Sequence, residues 1–507
     1  MWNTRPHKYK KCAFDSQVFA CPPVSWIFWG GTGQSPCSLG DNCDHFADKR
    51  LCPIDGLPSV LVSCQWVNLS MKLKTLLIAG TALAAAVAAA AIVLRKPTPR
   101  PNIVLVVIDT LRADRLSFYG YPKETAPFLS SLASQGVVFE KAYSASSWTA
   151  PGTASIFTGL YPLQHSVVMG LHAQKKLIHN HPHIRIRRIP EEVTTLPELL
   201  RRGGYRTFGF SDNANISRHL GFDQGFDILM SGSHKGGKAI NRRVLDLEKQ
   251  ILSGGPYFLY LHYNDVHLPY KIPLDESQET GDWLADMKMM YDLEIAFVDS
   301  CLKELSTKFD WSKNTLLIVT SDHGEEQYEK EYYGHGKSLY NTVIRVPLLI
   351  FWPEKELFSM KRPTVNVSTM DILPTLASLL GLDKPKGLAG EDLKPVLEGR
   401  ARSGGERYIY SHLQHKAGTS REKEQKCCIL GDKKYIFVRP KDHIFFDLKL
   451  DPEEQINRYA EELQAASALA KNLFAFENSC PRFNSDYVDI QLDKEAIENL
   501  RALGYVR

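Results

Sequence analysis

The sequence predicts an α/β fold with a large, mostly parallel central sheet flanked by helices and a smaller antiparallel sheet toward the C-terminus. Three observations carry this prediction. Strand-like and helix-like runs alternate through most of the chain. The strand-like runs are continuously apolar, the pattern of strands buried on both faces. From about Glu406 the texture changes to short strands set around turn signals. Taken in order, Asn102–Ile108 is rich in Val and Ile and reads as a buried parallel strand. Residues 125–135 read as a helix ended by Gly136, with a short strand running to Phe139. Leu196–Arg202 is a helix stopped by Gly203-Gly204, and 206–210 the strand after it. Residues 257–261 form another strand and 287–309 a long amphipathic helix. Thr315–Thr320 and 347–351 add two buried strands, and Ile372–Leu380 a helix closed by Gly381. The smaller sheet takes 408–411, 427–430, 434–438 and 444–446, with a helix after it.

Composition bounds the function. In 507 residues, 44% are hydrophobic and 23% charged, which excludes a disordered or collagen-like chain. Lys and Arg number 61 against 57 Asp and Glu, too small an excess for a nucleic-acid footprint. A single long apolar run excludes a polytopic membrane protein. Six of ten cysteines (Cys12, Cys21, Cys37, Cys43, Cys52 and Cys64) lie in the first 70 residues, without paired metal-ligand spacing. At Met71 a different grammar begins: Lys72 and Lys74, an Ala-rich run over 75–94, then Arg95 and Lys96. The expected organisation is therefore 1–70 as translated upstream sequence and 71–96 as a signal peptide or signal anchor. Residues 97–101 follow as a linker, 102–400 as a catalytic domain and 401–507 as a C-terminal subdomain. The globular part is expected to be exported, or tethered to a membrane if 75–94 stays uncleaved.

Ligands of open α/β sheets sit beyond the carboxyl ends of the strands, where several groups able to hold metal or move protons collect. The first strand ends in Asp109, and Thr315–Thr320 ends in Ser321-Asp322-His323-Gly324. The 257–261 strand runs into His262, Asp265 and His267. Three such sets on one sheet edge point to a metal site rather than independent helix caps. Thr149 has the position of an N-cap, with Pro151 in the first turn and Gly159 closing the helix. A hydroxyl there either caps or acts as a nucleophile in the positive field of the helix end. His179, His181 and His183, with Arg185, Arg187 and Arg188, read as a solvated basic loop. Arg112 and Arg115 serve either an anion site or ion pairs. Cys427 and Cys428, adjacent on a strand, point to opposite faces.

The motifs Pro101-Asn102-Ile103-Val104, Asp109-Thr110-Leu111-Arg112, Thr158-Gly159-Leu160-Tyr161-Pro162 and Ser321-Asp322-His323-Gly324 together resemble the sulfatase branch of the alkaline phosphatase superfamily. Gly334-His335-Gly336-Lys337, Asp371-Ile372-Leu373-Pro374 and Leu503-Gly504-Tyr505 extend the resemblance, in order, over residues 101–507. It implies an alkaline-phosphatase-like sandwich and a metal-bound nucleophile attacking a sulfate or phosphate ester. Asp109, Asp322 and His323 then match metal-ligand positions and Thr149 the nucleophile. His267 and Lys337 match groups that contact the anion or protonate the leaving oxygen, and His335 falls beside them. His262 and Asp265 serve a second metal or orient His267; both readings stay open. The cofactor is one divalent ion (Ca²⁺, Mg²⁺, Mn²⁺ or Zn²⁺), with a two-metal site as the alternative.

The departures are specific. Ordinary sulfatases carry Cys or Ser at the nucleophile and oxidise it to an aldehyde. Threonine has a secondary carbinol carbon, so oxidation at Thr149 would give a ketone. The Arg that follows in the family is Thr153 here, and the second metal-side Asp is Thr110. A Lys-Trp-His segment is replaced by Ser211-Asp212-Asn213, leaving Asn213 as an anion or metal contact. These losses favour phosphate mono- or diesters over sulfate esters, on a glycan or lipid carrier. The alternatives are a head-group transferase using the same threonine, and a non-catalytic anion-binding relative.

Overall fold

The computed structural model describes residues 100–171, 183–232, 235–353, 360–400, 406–414, 424–483 and 487–492, with 74, 76–81, 358, 494, 497 and 498 besides. The chain divides into two units, Met1–Leu94 and Arg95–Arg507. In the first, the described residues are helical. Among the described residues no helix is long and apolar enough to cross a membrane. The expectations for 1–70, most of the 75–94 run, His179, His181 and Leu503-Gly504-Tyr505 fall outside the described residues.

The second unit is built on a seven-stranded sheet. Its strands are β1 (Asn102–Ile108), β2 (Val137–Val138), β3 (Arg206–Ser211), β4 (Ile228–Ser231), β5 (Tyr257–Tyr263) and β6 (Thr315–Thr320). A hairpin of β7 (Glu326–Gln327) and β8 (Tyr333–Gly334) follows, and β9 (Leu348–Phe351) completes the sheet in the order β2-β9-β6-β1-β5-β3-β4. All neighbours are parallel except β9, which runs antiparallel to both β2 and β6. Its helices are α1 (Pro127–Gln135), α2 (Thr149–Thr158), α3 (Leu196–Arg202), α4 (Gly237–Asp246), α5 (Trp283–Phe309) and α6 (Ile372–Leu380).

The unbroken apolar run of β1 has a direct cause. Successive side chains point to opposite faces. Ile103, Leu105 and Val107 enter one core with Ala154 and Phe157 of α2 and Leu373 and Leu376 of α6. Val104, Val106 and Ile108 enter another, with Ile240 and Val244 of α4 and Tyr291, Ile295 and Val298 of α5. Both faces are covered, so no position of the strand tolerates charge.

The smaller sheet is fully antiparallel: β10 (Tyr408–Leu413), β11 (Gln425–Leu430), β12 (Lys433–Val438) and β13 (Asp442–Asp447). It too is buried on both sides. Cys427 faces Ile409, Ile436 and Phe446. Cys428 faces Tyr435, Phe445 and Leu469 of α7 (Leu463–Ser479).

Three local expectations change. The strand expected to end at residue 261 continues to Tyr263, so His262 is a strand residue and its side-chain direction is fixed by the pleat. The long helix begins at Trp283, four residues early, because the Asp282 carboxylate caps it by accepting from the backbone N–H groups of Leu284 and Ala285. The basic tract expected as a loop contains a strand, His183–Ile186, paired antiparallel with Val488–Gln491. That pairing joins segments about 300 residues apart, a long-range event invisible in the tract's own pattern.

One buried ion pair holds the smaller sheet to the loops beneath it. Lys434 Nζ lies 2.6 Å from Glu454 Oε1, both side chains almost wholly excluded from water. Lys434 also donates to Asn341 Oδ1, and Glu454 accepts the Asn341 backbone N–H. Replacing Lys434 by Met strands a buried carboxylate, and urea unfolding is expected to register a loss of about 3–5 kcal/mol.

Candidate active site

The parallel register of three neighbouring strands brings the polar groups together. Val107 of β1 is level with His262 of β5 and with Thr320 of β6. Asp109 and Asp322 therefore lie each two residues further on, at one sheet edge. Leu111 N–H donates to Ser321 Oγ, tying the two strand ends to each other. His262 Nε2 lies 3.3 Å from Asp109 Oδ2, and His323 Nε2 3.3 Å from Asp109 Oδ1. Asn213, just past β3, donates from Nδ2 to Asp109 Oδ2 at 2.8 Å. All these side chains are excluded from water.

The fourth contribution comes from α2. Sequence reading expects Thr149 to cap this helix. Instead Trp148 occupies the N-cap with extended backbone and no side-chain cap, and Thr149 is the first helical residue. Its hydroxyl donates to Asp109 Oδ2 at 3.4 Å and lies 3.3 Å from His323 Nε2. A glycine makes this approach possible. A Cβ on Gly152 would sit 2.6 Å from the carbonyl oxygen of Asp322, so any larger residue pushes the helix away from β6. Thr153, one residue on, donates to Asp322 Oδ2 at 3.5 Å.

Charge is the unusual feature of this arrangement. Burial works against ionisation of Asp109, yet hydrogen bonds from His262 and His323 hold it well below the usual carboxylate range. Burial, reinforced by the charge on Asp109, pushes Asp322 well above that range. Two facing carboxylates in a dry site cannot both ionise without a compensating cation. Asp109, His262 and Asp322 offer ligand atoms within 4.8 Å of one another. These residues fit a divalent metal, and the mixed carboxylate and imidazole donors suit Mn²⁺ or Zn²⁺ as well as harder ions.

A second tier surrounds the cluster. His267 hydrogen-bonds the Leu268 carbonyl through Nδ1. Burial and then the neighbouring His335 lower its pKa. The His335 ring centroid is 4.9 Å from that of His267 and 4.4 Å from that of His323. His335 Nδ1 is held at 2.9 Å from Glu325 Oε1.

Two residues named from the sequence stand apart from the cluster. Asp265 turns to the N-terminus of α4, where Oδ1 accepts the Gly237 N–H at 2.9 Å, and burial raises its pKa to about 6. The exposed Lys337 sets its ammonium 4.5 Å from the centroid of the Tyr332 ring. Arg112 is committed to ion pairs with Asp114 and Glu329. The Thr110 hydroxyl lies 2.7 and 2.9 Å from the carbonyls of Asp109 and Val266.

Four contributors escaped sequence reading. The Tyr260 hydroxyl lies 2.8 Å from His262 Nδ1, fixing that ring. Asn264 Oδ1 accepts from Asn213. Glu325 orients His335, and Gly152 admits the helix. Tyr260 and Asn264 lie two residues either side of His262, so strand alternation was the signal that could have found them.

A profile described as Sulfatase matches residues 101–382. Another, described as N-sulphoglucosamine sulphohydrolase, C-terminal, matches residues 328–477. An arylsulfatase of Hemicentrotus pulcherrimus is 25% identical over 364 residues, covering 61% of this chain and 64% of that relative, less than two thirds of its length. A Delta 4,5-hexuronate-2-O-sulfatase of Bacteroides thetaiotaomicron is 22% identical over 460 residues, covering 78% of this chain and 92% of the relative. Among solved structures, a phosphonate monoester hydrolase of Agrobacterium radiobacter superposes with a TM-score of 0.62 at 19% identity, over 78% of this chain and 97% of that one. At that identity the likeness is one of fold.

Cation binding has a direct readout. Mn²⁺, Zn²⁺, Ca²⁺ or Mg²⁺ added to chelator-treated protein is expected to raise the thermal midpoint, by about 2.7 kcal/mol of stabilisation at a hundredfold excess over Kd. Asp109→Asn and Asp322→Asn are expected to abolish that rise in differential scanning calorimetry.

Proposed function

The chain belongs to the sulfatase family, and from that premise we propose a metal-dependent ester hydrolase in which Thr149 forms a covalent intermediate, with phosphate mono- or diesters preferred over sulfate esters. The observation that carries this reading is the Thr149 hydroxyl. It caps nothing, and it lies within 3.4 Å of both Asp109 and His323. Asp109, Asp322, His323 and His262 would hold a divalent cation, which would supply positive charge to the transferred group and lower the pKa of the adjacent hydroxyl.

In this reading the Thr149 oxygen attacks phosphorus, and its proton passes to Asp109 Oδ2, to which the hydroxyl already donates. The bond from phosphorus to the leaving oxygen breaks, and a protonated His267 delivers the Nε2 proton to that oxygen. Water, giving a proton to the now neutral His267, then attacks phosphorus; the bond from phosphorus to the Thr149 oxygen breaks, that oxygen takes back its proton, and the phosphate product leaves. Asn213 holds the Asp109 carboxylate in place throughout by donating from Nδ2. The preference for phosphorus rests on Thr149, which cannot become an aldehyde, and on Thr153 and Thr110, which supply no cation and no second carboxylate. The same fold carries a phosphonate monoester hydrolase, so phosphorus chemistry is available to this architecture.

Assays of 4-nitrophenyl phosphate, its phenyl diester and its sulfate, with each metal or a chelator, test the reading. A phosphate ester is expected to turn over fastest. Thr149→Ala is expected to lose about a thousandfold or more in kcat, and Thr149→Ser to stay within about tenfold. Equal turnover by all three proteins would remove the covalent step.

The pH profile follows from His267. As an acid it must be cationic, and its pKa lies below the usual 6.5. Log kcat/KM is expected to fall with a slope near −1 as pH rises through that lowered pKa, so turnover is greatest on the acid side of neutrality. In His267→Gln that limb should flatten.

A further inference from the structure

Two of the large exposed aromatic side chains touch each other. Trp283 is 56% exposed and Tyr328 46% exposed, whereas tryptophan is ordinarily among the most buried residues on average. Their ring centroids are 5.6 Å apart at 83°, and Tyr333 completes a triangle at 5.9 Å from Trp283 and 6.1 Å from Tyr328. The near-perpendicular planes leave ring faces meeting in a corner rather than a flat stack. We propose that this corner of Trp283, Tyr328 and Tyr333 binds a pyranose ring of a saccharide that carries the ester, a reading that rests on the ester-hydrolase function above.

Position is the first support. Tyr333 lies two residues before His335, whose ring lies against those of His323 and His267. The Tyr333 hydroxyl is 2.7 Å from that of Tyr270, three residues after His267. The corner is therefore joined to the segments that carry His335 and His267 through Tyr333 and Tyr270.

Rigidity is the second. Trp283 opens α5 directly after its Asp282 cap, and Thr280 braces the same turn by donating from both its N–H and its hydroxyl to Asp286 Oδ1. Tyr328 has a left-handed backbone, φ +69, and its N–H donates to the Tyr332 carbonyl across the β7–β8 turn. A side chain held in that sparsely populated region beside a site is placed rather than loose. Little ordering entropy remains to be lost on binding.

Chemistry chooses the occupant. A pyranose presents C–H groups on its faces and hydroxyls round its edge, which matches aromatic faces that also carry phenol hydroxyls. An acyl chain needs continuous apolar surface. Along the chain the corner residues are flanked by the polar runs Thr280-Gly281-Asp282 and Glu329-Lys330-Glu331.

Tryptophan fluorescence of the full chain tests the corner. The probes are hexaoses of glucose, galactose and N-acetylglucosamine, chondroitin and hyaluronan tetrasaccharides, and phosphatidylglycerol vesicles. At least one saccharide is expected to shift the emission saturably, with Kd raised about tenfold or more by Tyr328→Ala. Calorimetric titration of that saccharide should show the same loss in Trp283→Ala, whose thermal midpoint checks that it folds. Thr149→Ala should bind the saccharide like wild type while losing turnover, which separates failure of the corner from failure of the catalytic reading. Binding of vesicles alone, of no probe, or of saccharide unaffected by either aromatic substitution overturns the proposal.

Discussion

Everything at the candidate site depends on holding two carboxylates close together out of water. Asp109 and Asp322 sit at the ends of adjacent parallel strands, and neither has solvent to screen it. Left alone, such a pair opens the site or takes up a proton. The chain surrounds Asp109 with hydrogen bonds from His262, His323 and Asn213, which favour its charged form, and leaves Asp322 burdened. A site in this condition is built for a cation, and its metal affinity and its fold are linked through the same repulsion.

The second constraint is how closely a helix can approach that pair. The hydroxyl of Thr149 reaches Asp109 only because α2 enters the cluster without a side chain at Gly152. Ser144 anchors the same place by donating to the Asp322 carbonyl. Backbone therefore packs against backbone where side chains would ordinarily separate a helix from a strand end. The threonine, freed from capping by Trp148, has acidic and imidazole groups as neighbours instead of helix N–H groups.

Cationic groups are scarce in the immediate cluster. Arg112 is engaged by carboxylates, Lys337 sits over Tyr332, and the uncharged Thr153 lies against Asp322. In the proposed reaction, binding of an anionic ester would lean on a metal and on His267 and His335. In the proposed reading, selectivity for what bears the ester falls to surrounding surfaces, among them the aromatic corner on α5 and the β7–β8 hairpin.

Much of this was legible in the residues themselves. Burial on both faces wrote continuous apolar runs into β1 and β6. Turn residues marked their ends, and the polar groups just beyond them named Asp109, Asp322 and His323. Cysteines 427 and 428 were readable as opposite faces of one strand for the same local reason. What the sequence could not supply was anything set by distance along the chain: the pairing of 183–186 with 488–491, the direction in which Asp265 turns, the hold of Tyr260 and Glu325 on their histidines, or the reach of Lys337. Those depend on which atoms meet after folding. A period of two or of 3.6 fixes which face a residue occupies, but only packing of remote segments decides what that face meets.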